Sequence, residues 1–386
     1  TGTANVFIKV GVQAVTDWQR PLQDIVDDAV RRVIDQGNLS TLNCPEEVYL
    51  AEKLCELHPW ADMARFTRSG GEACAVAVRI ARAAAGKDAV AFCGYHGWSD
   101  WYLSANLTEN AALDGHLLPG LAPVGVPRGL TGTARPFPYN DLGALDTLLA
   151  AGDVGVVFME VERSTPPEPG YLRGVRALAD RYGAVLVFDE CTSGFRKVLG
   201  GIHLHHGVEP DVAVFGKTLG NGYAINAVIG RDSVMQAAQE TFISSTFWTE
   251  RIGPTAALAA LGAMSAEDAP ARIDEIGEAV TRRWIELGQT VGLGIHTSGL
   301  KALSTYSVDG ADPIEVKTYV TQEMLHRGSL AGTALYASIA HHQTILDHYF
   351  EELGEVWRQL ERLIDVGGLP GALPNGPAQS GFTRLA

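Results

Sequence analysis

The stretch AVLVFDE, residues 184–190, is an apolar run that ends directly in two carboxylates. Other short apolar runs rich in β-branched residues lie on both sides of it, separated by stretches with helical periodicity. Buried runs that alternate with helices are typical of the strands of a parallel sheet. The runs are Ala89–Cys93, Val154–Met159, Ala184–Phe188, Val212–Phe215 and Ala227–Ile229. The sequence therefore predicts an α/β fold for the central two thirds of the chain.

Helical patterns surround these runs and extend beyond them. One of them lies between two predicted strands, as a crossover helix should. After about residue 255, long helical patterns accompany one short strand-like segment, which predicts a smaller α+β domain. The predicted helices are Pro21–Asp35, Glu46–Leu57, Glu72–Ala85, Tyr171–Tyr182, Thr255–Met264, Ala271–Leu287, Pro313–Arg327 and Thr344–Ile364, and the late strand is Ala302–Val308. We expect an N-terminal segment over residues 1–45, a large domain over 46–254 and a small domain over 255–386.

Composition and charge argue against several classes of protein. The 386 residues are 46% hydrophobic and 19% charged, which is a globular mixture. The formal net charge of −15 argues against general binding to nucleic acid or to anionic membranes. The five cysteines form no CxxC pair, and the sequence contains neither a signal-peptide pattern nor an apolar run that suits a membrane helix. We expect a cytoplasmic enzyme, and the missing initial Met indicates a fragment or a trimmed chain.

Two segments at predicted strand ends are candidates for ligand binding, because α/β sheets bind ligands beyond the carboxyl ends of their strands. Ser69, Gly70 and Gly71 open a predicted helix, where bare backbone N–H groups and the helix dipole suit a phosphate. An ordinary glycine-rich helix start is the alternative. Asp189, at the tip of the most apolar strand, could bind a metal, act as a base or pair with a protonated heterocycle. A structural ion pair is the alternative there.

Lys217 follows the predicted strand Val212–Phe215 and stands next to Gly216. The Gly-Lys-Thr segment resembles a P-loop, but that motif requires glycine at position 211, which is Asp211. Burial disfavours the charged form of a lysine, and the neutral amine is a nucleophile. Lys217 is therefore a candidate for forming a Schiff base.

An aromatic segment follows the predicted strand Ala89–Cys93. Aromatic side chains and a histidine crowded into a few residues are typical of a stacking platform, although packing in the core is the alternative for at least one tryptophan. The segment contains Tyr95, His96, Trp98, Trp101 and Tyr102. A second histidine-rich segment, residues 203–206, lacks a nearby Cys or Asp ligand motif, so we expect no metal site.

The order of these motifs resembles the class III aminotransferases, which are fold-type I enzymes that depend on pyridoxal 5'-phosphate (PLP). The resemblance is closest to the branch of glutamate-1-semialdehyde aminomutase and of the polysaccharide and sugar aminotransferases. It extends from Pro21 to the tail around Arg384, and Thr1–Arg20 matches poorly. Asp189, with Gly-Phe-Arg shortly after it and Lys217 farther on, is its most specific part. The resemblance implies an aspartate-aminotransferase-like fold, with a large, mostly parallel sheet domain and a smaller α+β domain.

The resemblance also implies a role for each motif. Lys217 would hold PLP as a Schiff base and move a proton, while Asp189 would pair with the pyridinium nitrogen. Thr246 would reach the phosphate of a neighbouring subunit, which implies a homodimer. The other residues would bind the phosphate or contact the ring, Tyr95 by stacking on its face. The implied cofactor-binding set is Ser69, Gly70, Gly71, Tyr95, His96, Asp189, Lys217 and Thr246.

Departures from the family pattern leave the substrate open. Gly71 replaces a hydroxyl residue, Val161 a proline and Cys191 a valine. The partners implied are a small amino donor and a ketone or aldehyde acceptor, and flat aromatic rings suit a keto-sugar, cyclitol or nucleotide-sugar as acceptor. The candidate substrate residues are Arg68, Trp98, Trp101 and Trp248. The alternative activity is that of an aminomutase, which moves an amino group within one molecule.

Overall fold

The structure is a computed structural model that describes residues 20–109, 112–116, 120, 122–162 and 164–378. The poorly matching N-terminal residues before Arg20 and the tail around Arg384 lie outside these ranges. The described chain forms two compact units, and the larger comprises residues 24–162 and 167–267. The smaller is built mainly from residues 268–378. The division thus follows Glu267 rather than Pro254, because the helix Ile252–Ala266 packs against the helix Pro45–Leu57 of the larger unit.

One seven-stranded sheet organises the larger unit. Its strands are Met63–Thr67 (β1), Ala89–Cys93 (β2), Ala134–Pro136 (β3), Val154–Glu160 (β4), Val185–Glu190 (β5), Val212–Phe215 (β6) and Asn226–Gly230 (β7). Strands β2 to β6 are parallel to one another, whereas β7 runs antiparallel to both β6 and β1. The expectation that the run Ala227–Ile229 joins the parallel set is wrong, because residues 216–225 are too few for the crossover that a parallel strand needs. Within the sheet the strands lie in the order β1-β7-β6-β5-β4-β2-β3.

Helices cover both faces of this sheet, which is why its strands are apolar at successive positions. The helix Gly70–Ala85 (α3) packs on the face that carries Val187 and Val214. The helices Pro45–Leu57 (α2) and Ile252–Ala266 (α10) pack on the opposite face, which carries Ala213 and Phe215. The helices of the larger unit are Arg20–Gln36 (α1), Pro45–Leu57 (α2), Gly70–Ala85 (α3), Asp100–Leu103 (α4), Ala105–Thr108 (α5), Leu142–Ala150 (α6), Tyr171–Tyr182 (α7), His203–His206 (α8), Asp232–Met235 (α9) and Ile252–Ala266 (α10).

The smaller unit has its own antiparallel sheet, in the order Ala334–Tyr336 (β10), Leu303–Val308 (β9) and Ile295–Ser298 (β8). An aromatic cluster that includes Trp284, Tyr306 and Trp357 fills its core. Its elements are Ala269–Val291 (α11), Ile295–Ser298 (β8), Leu303–Val308 (β9), Pro313–His326 (α12), Ala334–Tyr336 (β10) and Gln343–Asp365 (α13). The predicted α/β fold with a small α+β unit is confirmed. Within the part of the chain that the structure describes, no helix combines the length and the apolar character needed to cross a membrane.

Candidate active site

The carboxyl ends of the parallel strands meet along one edge of the sheet. Glu160, the last residue of β4, pairs with Asp189 of β5, which in turn pairs with Val214 of β6. Lys217 follows β6 by two residues. The sheet therefore brings Asp189 and Lys217 to the ends of neighbouring strands, where α/β folds bind ligands.

Asp189 is a buried carboxylate, 4% exposed, on the face of the sheet that α3 covers. Its Oδ2 lies 2.8 Å from Nδ1 of His96 and 3.4 Å from Sγ of Cys74, and its Oδ1 lies 3.0 Å from the backbone N–H of Cys191. Burial alone would raise the pKa of Asp189. The hydrogen bond and charge of His96, the Cys191 N–H and the charge of Lys217 together hold this pKa below its ordinary value. Asp189 is thus kept ionised and suits a cationic partner.

His96 supports Asp189 from behind. The ring is buried, and its Nε2 lies 3.1 Å from the backbone carbonyl oxygen of Cys93. Both ring nitrogens therefore lie within hydrogen-bonding distance of oxygen acceptors. The ring stacks on Trp101 and packs edge-on against Phe158, with centroid distances of 6.1 and 4.6 Å. His96 thus contacts Asp189 directly, and the expectation that it binds the cofactor stays a prediction.

Glu190, the next residue, points to the opposite face of the sheet and is 0% exposed. Its carboxylate accepts hydrogen bonds from the backbone N–H groups of Ile202 and His203 and from Nδ1 of His203. The other ring nitrogen of His203 accepts a hydrogen bond of 2.8 Å from the indole N–H of Trp60. His58 stacks on His203, with ring centroids 5.6 Å apart. We call Glu190, His203, Trp60 and His58 the Glu190 network.

Lys217 begins a single 3-10 turn, Lys217–Leu219. Its φ of +45° lies in the left-handed region, which a residue with a Cβ disfavours and which recurs at functional sites. Its Nζ donates a 2.8 Å hydrogen bond to Oγ1 of Thr192, a buried residue of the loop after β5. Sequence reasoning missed Thr192. The residue before the lysine must be Gly216, because a Cβ there would lie 1.9 Å from Nδ2 of Asn226.

Ser69, Gly70 and Gly71 form the start of α3. Ser69 is the N-cap, and its hydroxyl oxygen accepts a 3.4 Å hydrogen bond from the backbone N–H of Glu72. The Glu72 carboxylate accepts in return from the backbone N–H of Ser69 at 3.1 Å. This capping box fixes the first turn and leaves the N–H groups of Gly70 and Gly71 at the open, positive end of the helix. Such an end suits an anion.

Trp98 explains why residue 71 is glycine. A Cβ on Gly71 would lie 3.0 Å from the indole Nε1 of Trp98, and a Cβ on Gly97 would lie 2.9 Å from Cα of Gly71. The hydroxyl of Ser99 donates to the carbonyl oxygen of Gly71 at 3.3 Å. The loop 97–99 therefore lies directly against the first turn of α3. The indole N–H of Trp98 stands where a side chain of residue 71 would be, and 72% of Trp98 is exposed.

The other aromatic residues of this segment divide between the site and the core. Tyr95 is half-buried at the strand edge, with its backbone N–H donating to Oε2 of Glu160 at 3.2 Å. Its ring packs edge-on against Tyr102, 6.0 Å away. Trp101 is 6% exposed and packs against Phe158 in the core. The expectation that Trp101 contacts a substrate is therefore corrected, because its ring is used in packing.

Arg68 is also committed to the protein. Its guanidinium forms a 3.0 Å ion pair with Glu250 and donates to the backbone carbonyl oxygens of Trp248 and Glu250, at 3.0 and 3.1 Å. Arg68 thus holds the loop of Thr246 and Trp248, and its contact with a substrate anion stays a prediction. Thr246 is exposed in the turn Thr246–Thr249. The buried indole N–H of Trp248 has no hydrogen-bond partner among the described residues.

The sequence of residues 23–297, which contains all of these strand ends and loops, matches the family described as Aminotransferase class-III. The chain belongs to the class-III aminotransferase family. This assignment confirms the resemblance seen in the order of the sequence motifs. Asp189, Lys217 and the glycines at the start of α3 all lie inside the matched region.

Three relatives show the range of this aminotransferase family around the chain. The chain is 36% identical to a 3-aminobutyryl-CoA aminotransferase of Cloacimonas acidaminovorans over 61% of this chain and 55% of that protein. It is 30% identical to a 2'-deamino-2'-hydroxyneamine transaminase of Streptomyces kanamyceticus, over 85% and 81% of the two chains. It is 34% identical to a glutamate-1-semialdehyde 2,1-aminomutase of Nitratidesulfovibrio vulgaris, over 63% and 59%. The matches thus span little more than half of the first and third relatives.

The fold is similar to that of solved PLP enzymes. The FumI protein of Sphingopyxis sp. MTA144, solved with PLP, superimposes with a TM-score of 0.80 at 23% identity, over 89% of this chain and 82% of that one. The omega-transaminase of Sphaerobacter thermophilus gives 0.76 at 22% identity, over 87% and 83%. These structures and the family support PLP as the cofactor that the sequence implies.

The residues present fit this cofactor. PLP carries a phosphate, a ring nitrogen that can be protonated and an aldehyde that condenses with an amine. The site offers the open start of α3, the ionised carboxylate of Asp189 and the amine of Lys217. The close approach of Trp98, Gly97 and Gly71 shapes the loop beside the start of α3.

Proposed function

We propose that this class-III aminotransferase uses PLP to transfer an amino group from an amino donor to a ketone or an aldehyde. The observation that carries the proposal is that the buried, ionised carboxylate of Asp189 and the amine of Lys217 stand at the ends of neighbouring strands. When bound, PLP supplies a ring that withdraws electrons from the substrate carbon and so stabilises negative charge there.

The chain's own groups would hold the cofactor and move the protons. Asp189 would keep a proton on the ring nitrogen, since an ionised carboxylate stabilises a neighbouring cation. Lys217 would attach the cofactor and then hold and return the proton of the substrate carbon at its Nζ. Thr192 orients this amine through the hydrogen bond of 2.8 Å. The strained backbone at Lys217 supports the same assignment, because strain persists where the surrounding structure holds it in place.

The phosphate and the ring face would be bound by other elements. Ser69, Gly70 and Gly71 would bind the phosphate at the open end of α3. Tyr95 would stack on the ring. Thr246 of a second copy of the chain would complete the phosphate site, which makes the protein a homodimer.

Reduction with borohydride tests the role of Lys217. In the wild-type protein, reduction should fix the cofactor permanently to Lys217, as read by mass analysis of the peptides. Lys217→Ala should lose the adduct, and Lys197→Ala, a change at a lysine in the same region, should keep it. An adduct on another lysine in Lys217→Ala would reject the assignment.

The acceptor proposed for this activity is a keto-sugar, a cyclitol or a nucleotide-linked sugar. The Streptomyces relative is a 2'-deamino-2'-hydroxyneamine transaminase and matches over most of both chains, which supports this class of acceptor. The exposed indole of Trp98 and the indole N–H of Trp248, which has no hydrogen-bond partner among the described residues, support it as well. An indole combines a flat apolar face with a donor. The enzyme charged with an amino group by the donor should react fast with keto-sugars. Fast reaction with simple keto acids and none with keto-sugars would reject the class.

The aminomutase is the second candidate, and the relative from Nitratidesulfovibrio vulgaris favours it. The two activities differ in what a single amino donor does. A transferase releases the keto product and keeps the amino group on its cofactor, which absorbance spectra detect. A mutase returns the group to the same molecule, so that its cofactor should recover its original spectrum.

A further inference from the structure

Two buried cysteines lie beside Asp189. Cys74 is on α3, and Cys191 follows Glu190 at the end of β5. The thiol of Cys74 lies 3.4 Å from Oδ2 of Asp189. The thiols of Cys74 and Cys191 interact electrostatically, and Nδ2 of Asn226 donates to Sγ of Cys191 at 3.7 Å. We call Asn226, Cys191 and Cys74 the thiol chain.

The direction of the hydrogen bonds in the thiol chain follows from the chemistry of its ends. An ionised carboxylate only accepts hydrogen bonds, so Cys74 must donate its S–H to Asp189. An amide nitrogen only donates, so Sγ of Cys191 accepts from Asn226. The neighbouring Cys191 thiol, burial and the charge of Asp189 together raise the pKa of the Cys74 thiol well above its ordinary value. Cys74 therefore stays protonated and keeps its donor.

We propose that Cys74 and Cys191 are positioning residues that keep Asp189 ionised and oriented toward the ring nitrogen of the cofactor. The proposal rests on the proposed function, and it adds to His96 a second donor to Oδ2 of Asp189. Hydrogen bonds to the charged form of a carboxyl favour that form. The chain has Cys191 where the resembling family has valine, so this support depends on residues that this chain carries.

Other charged and titratable groups also act on Asp189. His96 donates to the same oxygen and is the stronger donor, because nitrogen donors exceed thiols in strength. Lys217 and Tyr102 interact with Asp189 electrostatically. The contribution of the thiol chain is therefore a modest shift added to a larger effect, and an experiment must read a shift rather than a loss.

The pH dependence of cofactor affinity measures this shift. Apoprotein is titrated with PLP from pH 3 to 8, a range that extends below the ordinary pKa of 3.8 for Asp189, and the dissociation constant is read from absorbance. Cys74→Ala removes a donor to the ionised carboxylate, which raises the pKa of Asp189, so the acid decline should move up by about half a pH unit. Affinity at pH 8 should stay within about twofold. Cys74→Ser keeps a donor and should restore the wild-type profile.

Two more variants keep the experiment decisive. Cys191→Val breaks the thiol chain one step farther away and should shift the profile in the same direction by less. It also serves if Cys74→Ala fails to fold, as melting temperatures will show. Cys93→Ala removes a buried thiol from β2 and should leave the profile unchanged.

Profiles for Cys74→Ala and Cys191→Val that coincide with the wild type would overturn the proposal. An equal shift in Cys93→Ala would overturn it too, because the effect would then come from a cavity. Failure of the proposed function has a different signature, which is a wild-type protein without the borohydride adduct on Lys217.

Discussion

Asp189 and Glu190 are neighbours on one strand and are both nearly inaccessible to water, yet they belong to two different regions. Glu190 is satisfied by the loop that follows it, through the backbone of Ile202 and the backbone and ring of His203. Asp189 is contacted from three separate elements, through His96, Cys74 and Cys191. Strand alternation alone sends the two carboxylates to opposite faces of the sheet.

The comparison shows that burial and hydrogen bonding do not distinguish a functional carboxylate from a structural one. What differs is where the partners come from. The partners of Glu190 close a local network that holds the loop of residues 193–203. Two of the three partners of Asp189, His96 and Cys74, come from distant parts of the chain, and Lys217 stands at the end of the neighbouring strand.

Neutralising each carboxylate in turn should give the largest difference between the regions of Asp189 and Glu190. Asp189→Asn should lower turnover at saturating PLP about 100-fold or more, because a neutral amide cannot hold the proton of the ring nitrogen. Glu190→Gln should cost about 3 kcal/mol of folding free energy, because the amide hydrogens meet the donors of Ile202 and His203. Steady-state kinetics and urea unfolding of both variants measure the two effects.

The expected pattern is crossed, with one variant losing turnover and the other losing stability. Near-normal turnover in Asp189→Asn would remove Asp189 from the reaction. Loss of turnover without loss of stability in Glu190→Gln would show that the two regions are not separate.

The sequence predicts the centre of the fold better than its edges. The strands Ala89–Cys93 and Val212–Phe215 are found with the predicted bounds, because strands buried on both faces are continuous apolar runs. The three-residue strands Ala134–Pro136 and Ala334–Tyr336 are too short for any periodicity. The strand Met63–Thr67 contains a partly buried arginine and gives no apolar run.

The same limit applies to the site. The positions of Asp189 and Lys217 at strand ends could be inferred, and their roles came from the resemblance and stay proposals. Thr192 and Cys74 contact these two residues only after the chain has folded, so no local pattern signals them. The burial of Trp101 depends on how its short helix packs on the sheet, which residue type alone does not reveal.

The pH dependence of the free energy of unfolding tests the Glu190 network separately from Asp189. His58 is neutral there, because its Nδ1 donates to the carbonyl oxygen of Leu54 and its Nε2 accepts from the N–H of Gly201, at 2.8 and 2.9 Å. Burial lowers the pKa of His58 from 6.5 to about 4. Between these values the unfolded chain binds a proton that the folded chain does not, so stability falls as the pH falls from 6.5 toward 4.

Urea unfolding at pH 7 and pH 5 should show this effect as a loss of about 2 kcal/mol from His58. Asp189 has a lowered pKa and acts in a different window, since its stabilisation is lost only as the pH falls below the ordinary value of 3.8. His58→Gln should be less stable at pH 7 and should lose less stability between pH 7 and pH 5. Equal losses in both proteins would show that His58 is charged or exposed in the folded state.

The smallest effect should come from a change confined to the Asp189 side. Gly71→Ser places a Cβ 3.0 Å from the indole nitrogen of Trp98, so the loop 97–99 must shift and PLP affinity should fall about tenfold.

Adding Trp98→Ala to Gly71→Ser frees the space, and the serine hydroxyl should then recover most of that affinity. Gly262→Ser is the matched control, because a Cβ at Gly262 meets open space. PLP titration and urea unfolding are measured together, and the stability that depends on the Glu190 network should stay constant throughout. If Trp98→Ala fails to rescue Gly71→Ser, the glycine is required for its backbone and not for the indole beside it.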